Sequence, residues 1–238
     1  MSVAWESADR DLLAAELVLD ERIAFIRRVY AHVGVAVLVL IGLVGGILST
    51  PALVVPLNGL ASAQPWLLLI AFLAATLVAH RLAESGASSG VQYLGLGLYV
   101  SAEALFFAPF LSLLQQRLPG ADHLILQAGL LTLIIFGGLT AVVLLTRADF
   151  SFLRNVLALG MLAVLGLIVV SLFTTISLGT WFSAGVVVLM SGFLLYETSN
   201  VLHHYPSRAH VAAALAVFAS LTTLFWYVLR LMAALSDD

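Results

Sequence analysis

Apolar residues run together in seven long blocks along this chain, near 29–49, 63–82, 91–113, 124–146, 153–173, 181–205 and 209–234, with short polar links between them. Runs of 18 or more apolar residues match the bilayer's hydrocarbon thickness and are the mark of membrane-spanning helices. The pattern predicts an all-α, polytopic membrane protein, a seven-transmembrane-helix bundle whose short links make neighbouring helices antiparallel. Residues 29–238 read as one seven-helix transmembrane domain, without linker, low-complexity stretch or internal repeat.

Residues 1–28 carry a different pattern. They are polar and acidic, and the apolar run that follows is too long for the core of a cleavable signal, so they read as a cytoplasmic N-terminal segment. Leu12, Leu13, Leu17, Ile23 and Ile26 recur near helical spacing among Asp11, Glu16, Asp20 and Arg22. That suits a helix lying at the membrane surface. A partly disordered tail ending in an Arg27–Arg28 anchor fits as well.

Composition sharpens the picture. Hydrophobic residues make up 62% of the 238 residues and charged ones 10%, against about a quarter charged in a soluble domain. The net charge of −3 and the lack of a basic stripe argue against a nucleic-acid partner. The absence of cysteine excludes disulfides, thiolate metal sites and cysteine nucleophiles. All ten basic residues are arginines. With the N-terminus cytoplasmic and the C-terminus outside, that inner side holds Arg10, Arg22, Arg27, Arg28, Arg81, Arg147, Arg154 and Arg208, and the outer side only Arg117 and Arg230. This satisfies the positive-inside rule. Trp66, Trp181 and Trp226 fall toward the outer interface, where their amphipathic rings are favoured. The expected location is the cell (inner or plasma) membrane, with the lipid bilayer as the first partner.

Helices in lipid associate by close approach. Gly42 with Gly46, Ala75 with Ala79, and Gly137 with Ala141 form small-xxx-small pairs, and Gly95, Gly97, Gly160, Gly166 and Gly192 add flat faces. The link Thr146-Arg147-Ala148-Asp149-Phe150-Ser151 predicts a tight turn in which Asp149 or Ser151 caps the fifth span.

Four stretches together resemble the Bax inhibitor-1 family of membrane proteins. They are Phe25-Ile26-Arg27-Arg28-Val29-Tyr30; Phe136-Gly137-Gly138-Leu139 through Thr146-Arg147-Ala148-Asp149-Phe150-Ser151-Phe152-Leu153; Leu195-Tyr196-Glu197-Thr198-Ser199-Asn200; and Leu224-Phe225-Trp226-Tyr227-Val228-Leu229-Arg230-Leu231. The Glu-Thr-Ser-Asn segment is most similar to the bacterial branch typified by YccA, a modulator and substrate of the membrane AAA protease FtsH. The resemblance implies a seven-helix bundle with the last helix at its centre. In some members it further implies a pH-dependent calcium leak, closed by an acid late in span six and another in span seven, with an arginine ending span two. Glu197 matches the first acid and Arg81 the arginine, whereas the span-seven position falls on Ser220, which carries no charge.

The remaining charged residues are weighed by depth. An ionisable group costs roughly 2.5–3.5 kcal/mol or more at a helix centre. Glu103 lies about 18 Å into span three at 1.5 Å per residue, level with Ser220 in span seven. Glu103 is therefore a candidate for the second acid that Ser220 lacks, with a protonated, hydrogen-bonded packing residue as the alternative. Pro109 either bends span three or marks its end. Glu197 sits nearer the cytoplasmic interface, within reach of Arg81 or His80 in this topology. Ser220, Thr223 and Tyr227 form one polar stripe on span seven, read as a pore lining or as hydrogen-bond glue.

No metal or catalytic site is expected. His203, His204 and His210 fit no zinc spacing, and His32 reads as a packed residue. Ser191-Gly192 lacks the glycine of an intramembrane serine protease motif, Leu189 standing in its place, and no histidine lies deep in a facing helix to act as base. No aspartate lies within a span to serve an aspartyl protease. No resident cofactor is implied beyond a transient calcium or other cation. Two functions remain, a carboxylate-gated cation leak opened by protonation of Glu197, and a regulator of a membrane protease, beside a purely scaffolding role.

Overall fold

The computed structural model describes residues 2–85, 88–174, 178–206 and 208–236, with side chains from residue 21 onward apart from Leu172. Its helices are α1 Ser2–Leu48, α2 Pro51–Ala63, α3 Pro65–Ala83, α4 Ser89–Arg117, α5 Ala121–Thr146, α6 Arg154–Phe173, α7 Thr180–His203 and α8 His210–Ser236. Seven of them are long and apolar enough to cross a membrane, with α1 qualifying from Glu21. The chain is all-helical among the described residues and is a multi-pass membrane protein. The Leu12, Leu13 and Leu17 side chains of the proposed surface helix lie outside the described residues, although the backbone there is helical and continuous with the first span.

One helix was absent from the sequence expectation. The first link, taken as a short connection, holds α2, whose 13 residues extend only about 20 Å, too short to cross. Proline opens both α2 and α3 at the first helical position, where its missing N–H is no loss. Ser49 and Thr50 donate their hydroxyls to the Gly45 and Gly46 carbonyls at 2.7 and 2.8 Å; Gly45 also accepts the Ser49 N–H, whereas at Gly46 the hydroxyl replaces the backbone donor that the helix end lacks. Asn58 on α2 donates to Ser112 on α4 at 2.8 Å.

The chain threads up and down. Links α3–α4, α5–α6 and α7–α8 gather with Arg22, Arg27 and Arg28 at an arginine-rich end, tied by Arg22 to the Tyr205 carbonyl at 2.8 Å. The opposite end holds Gln115 against Asp122 at 2.6 Å and Arg230 against the Leu178 carbonyl. At its centre stands α8, which touches α1, α3, α4, α5 and α7 and buries Val211, Leu215, Phe218 and Thr222 on one stripe. This is the position that the resemblance implied. On the periphery, α6 packs, among the described helices, on α7 and on the turn before it.

Close approach is used at some glycines and not at others. A methyl group on Gly95 would meet the backbone of α3 at Ala83 N, 2.6 Å away, and Ala79 O, 2.7 Å away. Gly160 and Gly192 receive Leu189 and Leu157 in reciprocal fashion, at 2.6 and 2.8 Å. The Gly42–Gly46 and Gly137–Ala141 pairs are exposed instead, as are Gly97 and Gly166, and all five of these glycines have nothing within 4 Å of the would-be Cβ. Spacing alone marks a flat face; whether a neighbour lies there depends on the direction it points. α4 continues through Pro109 to Arg117, so that proline does not end the helix. Trp66 and Trp181 open α3 and α7 at the opposite end. Trp226 packs inward, stacked on Phe107 with ring centroids 5.5 Å apart.

Candidate functional site

Glu103 lies on the face of α4 that meets α8 and is 2% exposed. Tyr99, one turn earlier on α4, donates its hydroxyl to Glu103 Oε1 at 2.9 Å. Thr222 on α8 donates to the same oxygen at 2.8 Å. Glu103 Oε2 is buried with no hydrogen-bond partner among the described residues. Tyr99 is itself fixed between Phe218 and His80, each meeting it edge-on, with centroids 5.9 and 5.8 Å away. The carboxyl is thus oriented by two hydroxyls and an aromatic wall, with no cation beside it among the described residues.

Ser220 was expected to mark this level. It is half-buried and makes no hydrogen bond among the described residues, and the contact falls to Thr222. Two residues rotate a helix by about 200°, so the depth matched while the face did not. Thr223 back-bonds to the Ala219 carbonyl at 2.8 Å, and Tyr227 meets Phe182 at 5.9 Å between ring centroids. Among the described residues, Ser220, Thr223 and Tyr227 therefore form no shared hydrogen-bonded row. The sequence signal for Tyr99 was its i, i+4 spacing to Glu103, which places both on one face.

Beside this site, a crevice of about 390 Å³ opens between α1 and α5 and is floored by α8; the two helices meet nearer the arginine-rich end, where Tyr30 and Phe136 have ring centroids 5.9 Å apart. Val37, Leu40, Leu221 and Phe225 make its walls apolar, Asp122 stands toward the opposite end, and Thr222 stands in its floor. The threonine that holds Glu103 is thereby also a surface of the crevice.

Glu197 lies elsewhere, about 9 Å from the arginine-rich end of α7 at 1.5 Å per residue. The Tyr205 hydroxyl donates to its Oε2 at 3.4 Å. Its charged neighbour is Glu84, and among the described residues no ion pair joins it to Arg81, which is exposed. His80 faces Glu84, with Nδ1 and Oε1 3.9 Å apart. No hydrogen bond joins Glu197 to Glu103 among the described residues. Burial pushes the Tyr205 phenol well above its ordinary pKa, and the Glu197 carboxyl adds to that shift.

The residues after Glu197 bind three elements together. Tyr30 on α1 donates to Thr198 at 3.2 Å. Ser199 accepts the Phe150 N–H at 2.8 Å and donates to Asp149 Oδ1 at 3.3 Å. Asp149 also accepts the Ser151 N–H at 2.8 Å, which holds its carboxyl below the usual aspartate range, helped by His204 at 3.6 Å. Its bond to Ser151 leads into the 3-10 turn Ser151–Leu153, and α6 itself has no side-chain cap, so neither Asp149 nor Ser151 caps that span. Arg147 ends α5 in the left-handed region, φ 51°. The Glu-Thr-Ser-Asn segment is therefore a structural junction of α1, α7 and the α5–α6 link.

The chain matches, over residues 22–237, the family described as inhibitor of apoptosis-promoting Bax1. It is 27% identical to Bax inhibitor 1 of Schizosaccharomyces pombe over 227 residues, 94% of this chain and 81% of that protein. It is 36% identical over 122 residues to an uncharacterized protein of Pseudomonas aeruginosa, covering 51% of this chain and 54% of the relative. It is 32% identical over 108 residues to the modulator of FtsH protease YccA of Escherichia coli, covering 45% and 49%. The matched part spans about half the length of these two bacterial relatives.

Proposed function

This chain belongs to the Bax inhibitor-1 family, and on that premise we propose that it is a multi-pass protein of the cell membrane that leaks calcium or another small cation under control of Glu103. The observation that supports this reading is a carboxyl 2% exposed, with two hydroxyl donors on one oxygen and, among the described residues, none on the other. A charge so placed and unpaired by a cation is costly in a low-dielectric interior. Ionisation of Glu103 is therefore coupled to the entry of water or a cation. The apolar α1–α5 crevice over Thr222 is the dewetted part of that route, which gates by excluding water until α1, α5 and α8 part. The arginine-rich end faces the cytoplasm, as the positive-inside rule requires.

This reading reverses the direction expected from a Glu197–Arg81 pair broken by protonation. Without that pair, the closed bundle is favoured by a neutral Glu103 and the leak grows as pH rises. Calcium flux into proteoliposomes at two pH values, for wild type, Glu103→Gln and Glu197→Gln, tests it. Flux whose pH dependence follows Glu197 alone would contradict it.

A second reading is regulation of a membrane AAA protease, favoured by the relative named as a modulator of FtsH protease. The helical segment of residues 2–20 would then be its handle. Co-reconstitution with such a protease, with and without residues 2–20, tests it; unchanged association on deletion would count against it.

A further inference from the structure

We propose that the cleft between α1 and α4 binds one anionic phospholipid, its phosphate at Arg28, His32 and Tyr93 and an acyl chain along the two helices below. The cleft has a volume of about 380 Å³ and lies between Val35, Ala36 and Val39 of α1 and Leu96, Gly97 and Val100 of α4. It is a different surface from the α1–α5 crevice, and the proposal does not depend on the leak. Both helices cross the membrane, so the cleft opens toward hydrocarbon, with Val35 60% exposed. From Ala31 to Val39 it runs about 12 Å along the axis, the length of the upper part of an acyl chain. Gly97 gives it depth: nothing lies within 4 Å of a Cβ built there.

Polar chemistry is confined to one end, where three helices converge. His32 Nδ1 is 2.6 Å from the Arg28 carbonyl and must donate to it. In the neutral ring that leaves His32 Nε2 as an acceptor, which takes the Tyr93 hydroxyl at 2.9 Å. The Tyr93 oxygen then accepts from His210 Nε2 of α8 at 3.4 Å. The two imidazoles meet edge to face with centroids 5.2 Å apart. His210 Nδ1 is buried and has no hydrogen-bond partner among the described residues.

Arg28 lies one turn above His32 on the same stripe as Val35 and Val39, at positions i, i+4, i+7 and i+11. It is exposed, and its guanidinium makes no hydrogen bond or ion pair among the described residues. The charged groups acting on His210 are His32 and Arg28, with no carboxylate among them. A proton taken up anywhere along the histidine–tyrosine chain thus creates a second cation without a counter-charge among the described residues. An anionic headgroup supplies one. A choline headgroup would instead set its own cation against Arg28.

Native mass spectrometry of the full chain in detergent, titrated with dioleoyl phosphatidylglycerol or dioleoyl phosphatidylcholine, tests this. The expected result is one tightly retained phosphatidylglycerol, favoured over phosphatidylcholine, with Arg28→Gln reducing the preference by about fivefold, the effect of one basic group near an anionic lipid. Gly97→Phe fills the cleft and removes the tight phase, while Gly138→Phe, at an equally open glycine on α5, leaves it intact. Equal retention of the two lipids by wild type overturns the proposal. So do equal effects of Gly97→Phe and Gly138→Phe, or displacement of the lipid by inorganic phosphate at the same concentration. Should Gly97→Phe fail to fold, Arg28→Gln carries the test, and an unchanged preference there overturns it.

Discussion

Thr222 and Glu103 stand 119 residues apart in the chain and 2.8 Å apart in the bundle. This hydrogen bond joins the central helix to α4 at the depth where a polar group is most expensive, and its donor, Thr222, lies in the floor of the crevice between α1 and α5. On the proposed function, opening the crevice and releasing Glu103 would be linked through this bond.

Thr222→Val keeps the side-chain shape and removes the donor. Unfolding free energy in mixed micelles should fall by about 0.6 kcal/mol and by no more than about 1.7 kcal/mol, the range for hydrogen bonds between membrane helices. Ser220→Ala should change it little, because Ser220 makes no hydrogen bond among the described residues. Equal losses for the two would mean that the face of α8 has been assigned wrongly.

Gly95 and Gly97 offer a contrast on one helix. Gly95→Ala drives a methyl into the α3 backbone at Ala83 N and Ala79 O and should cost about 1–3 kcal/mol, as overpacking does. Gly97→Ala meets nothing within 4 Å and should be nearly neutral. Thermal unfolding of the two variants in the same detergent checks the order.

The α5–α6 link should loosen in acid. Asp149 has its folded pKa depressed by the Ser151 N–H, so its contribution is present above the ordinary aspartate pKa of about 3.9 and is lost as pH falls through the lower folded value. A nitroxide at Ala148 should be immobile at pH near 7 and become mobile below about pH 3.9. Asp149→Asn, whose amide oxygen still accepts the N–H, should remove that transition, and Asp149→Ala should leave the label mobile throughout.

The parts of the fold that were legible share a cause. Seven blocks of apolar residues can be satisfied in one way in lipid, because each span must bond its own backbone. α2 was not legible: its 13 residues fall short of a span, and Pro51 and Pro56 read as a loop. At the site, the cost of charge in lipid singled out Glu103 without any neighbour being known. Thr222 stayed hidden because Ser220 and Thr223 make an equally polar row in the sequence, and the buried stripe through Phe218 is what decides between them. The Glu-Thr-Ser-Asn segment was visible as a motif. Its tie to Tyr30 and Phe150 was not, since contacts across roughly 170 and 50 residues depend on how the helices assemble.

The central claim, that Glu103 couples its charge to opening, is tested most directly by the pH profile of calcium flux in proteoliposomes of wild type and Glu103→Gln. The account predicts flux that rises with pH in wild type and a flat, low profile in the glutamine variant, which keeps the hydrogen bonds and cannot ionise. A Glu103→Gln profile that rises with pH as wild type does would contradict it.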